Sequence, residues 1–329
     1  MRINLKALSV AAIILALGLA PSMASAHSAT HRHKHSVSKH HKHSVSRRHS
    51  TTTPARSTAV AKPQLNSASV LVIDQQGGNT IYQKNSDTPM PIASITKLMT
   101  AMVVLDAKQS MSEMLTISDA DVDRLRNSSS RLRPGTTLSR RELFQLSLMS
   151  SENRATSALS RYYPGGKPAC VKAMNKRARL LGMTRSRFAD PTGLDGHNTA
   201  TAVDLARMVK VANTYPLIKT ITTTRSYLVD PPRRARLEYR NTNALVKNSD
   251  SNDWRIGLSK TGYINEAGHC LVMQAQIVNR PMIIVLLNAQ GKYSGVGDAN
   301  RIKKWLEGIG YGRFTNTSRS AALKSADAS

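Results

Sequence analysis

Apolar and polar positions divide the chain into a β-rich start, a helical middle and a β-rich end. Residues 67–74 form an apolar run typical of a strand, Gly77-Gly78 is a turn, and residues 79–83 are predicted to be the returning strand. The helical period recurs over 94–107, 140–149 and 201–213, and Pro168 marks the first turn of a further helix that stops at Gly182. Strands are predicted at 256–264, 270–278 and 282–287, before a closing helix at 298–308.

This order predicts one antiparallel sheet whose edges come from distant parts of the chain. Helices flank the sheet, and the middle of the chain forms a mostly helical lobe, which gives an α/β fold of the α+β kind. No internal repeat is present. We expect a single domain over residues 63–315.

The two flanks of this domain have a different character. Residues 1–26 combine Arg2 and Lys6, an apolar run and a small-residue cleavage site, so they are predicted to be a cleaved signal peptide and the mature protein to be periplasmic. An uncleaved membrane anchor is the alternative. Residues 27–62 are a His-, Ser- and Lys/Arg-rich stretch that is predicted to be a disordered linker, and residues 316–329 are a polar tail.

Charge and cysteine content narrow the classes of function. The formal net charge is +27, and the first acidic residue is Asp74, so anionic partners are favoured. A hydrophobic content of 40% excludes a wholly disordered chain. Two cysteines, Cys170 and Cys270, cannot form a disulfide-dense scaffold, and whether they pair is left open. The histidines of the linker indicate weak metal binding, contact with anionic polymers, or a simple spacer.

The first candidate motif for chemistry is Ser94-Ile95-Thr96-Lys97. On a helix this spacing places the lysine amine beside the serine hydroxyl, and a lysine with a lowered pKa can take the proton of a nucleophilic serine. The pattern alone is weak, since Ser36-Val37-Ser38-Lys39 repeats it within the linker.

Two more motifs strengthen this interpretation. Ser151-Glu152-Asn153 falls at a break between helices, and Lys260-Thr261-Gly262 falls inside a predicted strand. Each has an ordinary structural explanation, a helix cap and an edge-strand lysine. The order Ser-x-x-Lys, Ser-x-Asn, Lys-Thr-Gly is however the set typical of penicillin-binding proteins and class A β-lactamases.

Sequence around these motifs resembles the low-molecular-mass penicillin-binding proteins, in their D-alanyl-D-alanine peptidase branch. Residues 93–101, ASITKLMTA, and 190–194, DPTGL, are similar to that branch rather than to β-lactamases. Residues 149–155, 163–166, 260–263 and 268–273 most resemble endopeptidases of the penicillin-binding protein seven type. The match covers nearly all of residues 67–310, and it implies the β-lactamase/transpeptidase-like fold.

The resemblance implies a role for each motif residue. Ser94 is expected to attack the D-Ala carbonyl, Lys97 to act as general base, and Ser151 to carry the proton to the leaving amine. Substrate binding is expected from Asn153, Lys260, Thr261, Gly262 and Tyr263, with the backbone N–H groups of Ser94 and Tyr263 as oxyanion hole. His197 and His269 are expected to be structural, and no metal or organic cofactor is expected.

The implied activity is a serine-type D-alanyl-D-alanine endopeptidase that hydrolyses D-alanyl–diaminopimelate cross-links in peptidoglycan and is inhibited by β-lactams. The polar C-terminal end favours this over a D-alanyl-D-alanine carboxypeptidase, which remains an alternative. A β-lactamase and a His-rich wall- or metal-binding protein are the others. No nucleic-acid partner is expected.

Overall fold

The computed structural model describes residues 61–231 and 235–311. The predicted signal peptide, almost all of the linker and the polar tail lie outside the described residues. The elements of the first half are β1 (Ser67–Asp74), β2 (Thr80–Lys84), β3 (Met90–Pro91), α1 (Thr96–Asp106), β4 (Met114–Thr116), β5 (Thr137–Ser139), α2 (Arg140–Met149), α3 (Asn153–Arg161) and α4 (Gly166–Leu180). Those of the second half are β6 (Thr199–Ala200), α5 (Ala202–Ala212), α6 (Pro216–Thr222), β7 (Ser226–Val229), β8 (Leu237–Arg240), α7 (Ala244–Lys247), β9 (Arg255–Ile264), β10 (Gly268–Ile277), β11 (Arg280–Ala289) and α8 (Ser294–Gly308).

A five-stranded antiparallel sheet is the centre of the fold. Its order is β2-β1-β11-β10-β9, so the first strand lies beside the last and the edges come from opposite ends of the domain. Within the described residues the remaining strands form three two-stranded pairs, β3-β6, β4-β5 and β7-β8. The predicted fold class and sheet are therefore confirmed.

Both faces of this sheet are covered, which explains why its strands are continuously apolar. In β11, Ile283, Val285 and Leu287 face the helical lobe, while Met282, Ile284 and Leu286 pack with residues of α8. Strands buried on both sides need apolar residues at every position. Among the described residues, no helix combines the length and the apolar character needed to cross a membrane.

Most predicted elements occur within one or two residues of their predicted bounds. The Ser139–Glu142 capping box is present, with the Ser139 hydroxyl accepting from the Glu142 N–H and the Glu142 carboxylate accepting from the Ser139 N–H. The last helix begins four residues earlier than predicted, at Ser294, and the buried Gly295 in its first turn packs against Leu271. The short helices α3 and α6 and the hairpin β7-β8 were not predicted.

The two cysteines do not form a disulfide. Cys170 in α4 and Cys270 in β10 are both buried free thiols. Burial raises the pKa of the Cys170 thiol to about 12 and that of Cys270 to about 11. The open question of their pairing is thereby answered, and neither thiol is in a position typical of a reactive cysteine.

Candidate active site

Ser94 lies in a tight turn that leads directly into a deeply buried helix. The turn is a 3-10 segment, Ala93–Ile95, in which Ala93 has a φ of +45°. Helix α1 follows, and its residues from Thr96 to Val104 are all buried. Because the helix is enclosed on every side, the Lys97 side chain one turn below Ser94 is completely buried as well, with 0% exposure.

Lys97 has three hydrogen-bonding partners. Which of them can only accept determines where the lone pair of the neutral Lys97 amine points. Its Nζ lies 2.8 Å from Ser94 Oγ, 2.8 Å from Asn153 Oδ1 and 2.6 Å from the Thr192 carbonyl oxygen. The Thr192 oxygen can only accept. Asn153 is oriented by its Nδ2, which donates to Ser128 Oγ at 2.9 Å. A neutral amine has two N–H groups, which these two oxygens use, so its lone pair is directed at the Ser94 hydroxyl.

The pKa of Lys97 favours the neutral amine, which has a free lone pair, more than that of an ordinary lysine does. Its pKa is lowered to about 8, mainly because burial disfavours the charged amine. The negative charges of Asp190, Glu152 and Asp123 act in the opposite direction and raise the pKa. Burial, and not a neighbouring positive charge, is therefore what lowers the pKa of this lysine.

A rigid loop presents the Thr192 carbonyl to Lys97. The Asp190 carboxylate accepts hydrogen bonds from the backbone N–H groups of Thr192, Gly193 and Asp195, at 2.8, 3.0 and 3.3 Å. Gly193 has a φ of +83°, and a Cβ built on it would lie 2.0 Å from the Ala93 carbonyl oxygen. Glycine is therefore required at this position both by its backbone conformation and by the close approach of the Ala93–Ile95 turn.

Ser151 and Lys260 form a second hydroxyl–amine pair. Lys260 Nζ donates to Ser151 Oγ at 2.8 Å and to the Thr261 carbonyl at 2.8 Å. Lys260 is 1% exposed, and its pKa is lowered well below the ordinary value by burial and by the charge of Lys97. Ser151 itself has a φ of +61°, a left-handed conformation that costs a non-glycine residue about 1–2 kcal/mol.

Strand β9 forms one wall of the site. Thr261 Oγ1 donates to Thr242 Oγ1 at 2.6 Å, and Tyr263 is exposed, with its ring stacked on His269 at 4.4 Å. A Cβ on Gly262 would lie 2.9 Å from the Ile92 carbonyl oxygen and 3.0 Å from Ser94 N. Only a residue without a side chain lets the strand approach the turn that carries Ser94 so closely.

The motif residues surround one open cleft of about 450 Å³. Ser94, Ser151, Asn153, Thr261, Gly262 and Tyr263 line it, and the two lysines lie buried beneath. His197 is exposed elsewhere and bonds Asp195, whereas His269 lines the cleft. Several other lining residues carry no motif that could have been recognised in the sequence, and they are Thr242, Ala244, Lys247, Lys292, Tyr293 and Val296.

The cleft has the parts of a serine acyl-transfer site. A hydroxyl, a buried amine with its lone pair directed at that hydroxyl, and a second hydroxyl–amine pair provide a nucleophile and two groups that can exchange protons. Within residues 61–231 and 235–311, no group of three or more His, Cys, Asp or Glu side chains is arranged to bind a metal ion.

Comparisons with known proteins agree with this chemistry. A family model described as D-alanyl-D-alanine carboxypeptidase matches residues 56–291. A D-alanyl-D-alanine endopeptidase of Pseudomonas aeruginosa is 46% identical over 256 residues, 77% of this chain and 81% of that protein. One from Escherichia coli is 42% identical over 254 residues, with the same two coverages. The crystal structure of the Streptomyces K15 DD-transpeptidase superposes with a TM-score of 0.69 at 27% identity, covering 75% of this chain and 98% of that one.

Proposed function

The chain belongs to the D-alanyl-D-alanine carboxypeptidase family, and we propose that it is a serine-type D-alanyl-D-alanine endopeptidase that hydrolyses D-alanyl–diaminopimelate cross-links in peptidoglycan. The observation that carries the chemistry is the amine of Lys97, held by two oxygen acceptors so that its lone pair is directed at Ser94. The endopeptidase assignment rests on the two relatives at 46% and 42% identity.

Acylation starts at Ser94. Lys97 removes the hydroxyl proton while Oγ forms a bond to the D-Ala carbonyl carbon, and the backbone N–H groups of Ser94 and Tyr263 hydrogen-bond the developing oxyanion. The C–N bond to the diaminopimelate amine then breaks, and Ser151 delivers a proton to the leaving nitrogen. Water then attacks the ester carbonyl carbon, the bond to Ser94 Oγ breaks as Lys97 returns its proton to that oxygen, and the D-Ala carboxylic acid leaves and loses its proton to solvent.

Lys260 serves this sequence as a proton-relay partner and as a carboxylate partner. It donates to Ser151 Oγ, so a proton given up by Ser151 can be replaced through that hydrogen bond. Because its pKa is lowered, Lys260 in the free site loses its proton more readily than an exposed lysine does. A substrate carboxylate beside Thr261 favours the charged amine again, because an opposite charge raises the pKa of a lysine.

Asn153 positions the substrate. The Asn153 amide is fixed between Lys97 and Ser128, and its edge on the cleft is available to the substrate peptide. β-Lactams are expected to acylate Ser94 and to remain attached, which would inactivate the enzyme.

We further propose that the mature enzyme acts in the periplasm, on the support of the signal-peptide pattern in residues 1–26. The His-rich residues 27–62 are proposed to bind transition metals weakly or to contact anionic wall polymers. Amino-terminal sequencing of the secreted protein tests the first proposal, with His27 as the expected mature start. Metal titration of the chain with and without residues 27–62 tests the second.

The activity is tested with purified muropeptides read by mass spectrometry. A cross-linked dimer and a monomeric pentapeptide are offered to the mature protein, to Ser94→Ala and to Ser36→Ala. The last variant is the matched control, because Ser36 and Lys39 repeat the Ser-x-x-Lys pattern in the linker. We expect wild type and Ser36→Ala to convert the dimer to monomers and Ser94→Ala to do nothing.

Other outcomes separate the alternatives. Removal of the terminal D-Ala from the pentapeptide with an intact dimer would establish a carboxypeptidase. Rapid multiple turnover of penicillin would indicate a β-lactamase. Two intact substrates would contradict the peptidase proposal altogether.

A further inference from the structure

A second, larger cavity lies at the far end of strands β9 and β10, away from the nucleophile. It measures about 640 Å³, within the range of about 300–1,000 Å³ typical of small-ligand pockets. Five of the side chains that line it are amides and two are cations. We call it the amide cavity and define it by Gln75, Asn213, Lys219, Arg255, Gln274 and Gln276.

Two of its amide oxygens are not used by the fold. Asn213 Oδ1 and Gln75 Oε1 are buried acceptors without a hydrogen-bonding partner in the described part of the chain. Gln274, which is only 6% exposed, lines the same cavity. Buried polar atoms are rarely left without a partner, and each one costs about 1–3 kcal/mol. Two unused acceptors at one cavity therefore indicate a bound molecule that donates hydrogen bonds.

Gly257 leaves room for the carboxamide of Gln274 in the wall of the cavity. A Cβ at this position would lie 2.1 Å from Gln274 Oε1 and 3.6 Å from Asn213 Oδ1, so both side-chain oxygens approach its α-carbon closely. The backbone of Gly257 has no left-handed φ, so an alanine would fit the strand and would act by displacing the Gln274 carboxamide from the cavity wall.

The two cations add a second requirement for the ligand. Lys219 in α6 and Arg255 at the start of β9 line the cavity, and neither forms an ion pair with a carboxylate in the described part of the chain. Unpaired cations beside unused acceptors fit a ligand that carries both a negative charge and hydroxyl or amide N–H donors. An N-acetylated amino sugar with a nearby carboxylate has this combination.

We propose that the amide cavity is a second substrate site, which binds the N-acetylated sugar and adjacent carboxylate of peptidoglycan. This rests on the proposed function, because peptidoglycan is the substrate. The cavity and the cleft lie on the same strand, and the five residues from Gly257 to Gly262 span about 16 Å. The four stem residues between the sugar and the scissile bond span at most about 14 Å when extended, and the lactyl group that joins the stem to the sugar supplies the remaining few ångströms.

The test measures binding of three probes to the full mature chain by calorimetry and NMR. They are the peptide-free disaccharide of N-acetylglucosamine and N-acetylmuramic acid, the same disaccharide with its tetrapeptide, and neutral chitobiose. The first probe carries its carboxylate on the sugar, and the second carries it on the stem peptide. The probe that binds more tightly therefore identifies which carboxylate the cavity recognises. We expect at least one of them to bind at least tenfold more tightly than chitobiose.

Variants locate the site. Lys219→Ala with Arg255→Ala is expected to abolish the preference over chitobiose, and Gly257→Ala to weaken both sugars at least tenfold. The matched control is Lys172→Ala with Lys304→Ala, which removes two exposed lysines of α4 and α8 with the same change in charge. It should leave all three affinities unchanged.

Penicillin acylation of Ser94 keeps the two proposals distinguishable. It should be unchanged in the cavity variants, which also shows that they are folded. Absence of saturable sugar binding, or binding that the cavity variants do not weaken, would overturn the second site even if the cross-links are cleaved. Sugar binding in an enzyme that cleaves no cross-link would leave the site standing and refute the peptidase proposal.

Discussion

Acidification should slow acylation, because it removes the lone pair of Lys97. With a pKa of about 8, the neutral amine makes up half of the molecules at pH 8, about a tenth at pH 7 and about a hundredth at pH 6. Only the neutral form can accept the Ser94 proton. The rate of acylation is therefore expected to fall about fiftyfold between pH 8 and pH 6.

The lowered pKa shows how much the surroundings of Lys97, chiefly its burial, increase the fraction of neutral amine. A lysine with the ordinary pKa of 10.5 would be neutral in about one molecule in 3,000 at pH 7, so the shift to about 8 increases the reactive fraction about 300-fold. This corresponds to about 3 kcal/mol. Because Lys260 interacts with Lys97, the midpoint of the profile belongs to the pair.

The assay is the second-order rate constant for acylation by a fluorescent penicillin, followed from pH 5.5 to pH 9.5 at constant ionic strength. Glu152→Gln is the companion variant, because the Glu152 charge raises the pKa of Lys97. Its removal should move the acidic limb to lower pH, while the glutamine oxygen can still cap the Arg154 N–H. Melting temperatures at each pH control for unfolding.

Three results would refute this reasoning. A rate that is constant from pH 6 to pH 9 would mean that no group with the pKa of Lys97 accepts the proton. A midpoint near pH 10 would mean that burial does not lower the pKa of this amine. A limb that moves to higher pH in Glu152→Gln would contradict the electrostatic argument.

Three further predictions concern backbone conformation and the thiols. Ser151→Gly should be about 1 kcal/mol more stable to denaturant than Ser151→Ala, because only alanine keeps a Cβ at a φ of +61°, and equal stabilities would disprove the strain. Gly193→Ala should slow penicillin acylation at least 100-fold because its Cβ collides with the Ala93 carbonyl. Gly182→Ala, at a φ of +71° with open space around it, should keep the rate and lose only about 1 kcal/mol of stability. In a thiol titration at pH 8, Cys170 and Cys270 should react only after denaturation, and rapid reaction of the native protein would contradict their burial.

Local sequence patterns predicted those parts of the site whose residues lie within a single helix or strand. The spacing of Ser94 and Lys97 already indicated that their side chains meet, since both belong to one helical turn. The positions of the long strands followed from their apolar runs. Helix α3 was missed because it is built on small and hydroxyl side chains, with Leu159 as its only large apolar residue.

The rest of the site depends on contacts that no local pattern encodes. Thr192 contributes a backbone carbonyl, so its side chain carries no signal of this role. Thr242 and Ser128 reach the site from loops whose positions follow from tertiary packing. The motif Asp190 to Leu194 was noted only as a resemblance, and its physical purpose, to fix the carbonyl that orients Lys97, required the structure.

The pairing of the first strand with the last has a consequence for how activity arises during folding. Ser67 lies opposite Ala289, and β11 separates β1 from β10 and β9. The lysine and glycine of β9 thus reach Ser94 only when contacts more than 200 residues apart in sequence have formed, which is typical of slow, high-contact-order folding. A nascent chain that ends before β11 therefore has Ser94 and Lys97 but no assembled site, and penicillin labelling of refolding protein would report the closure of the sheet.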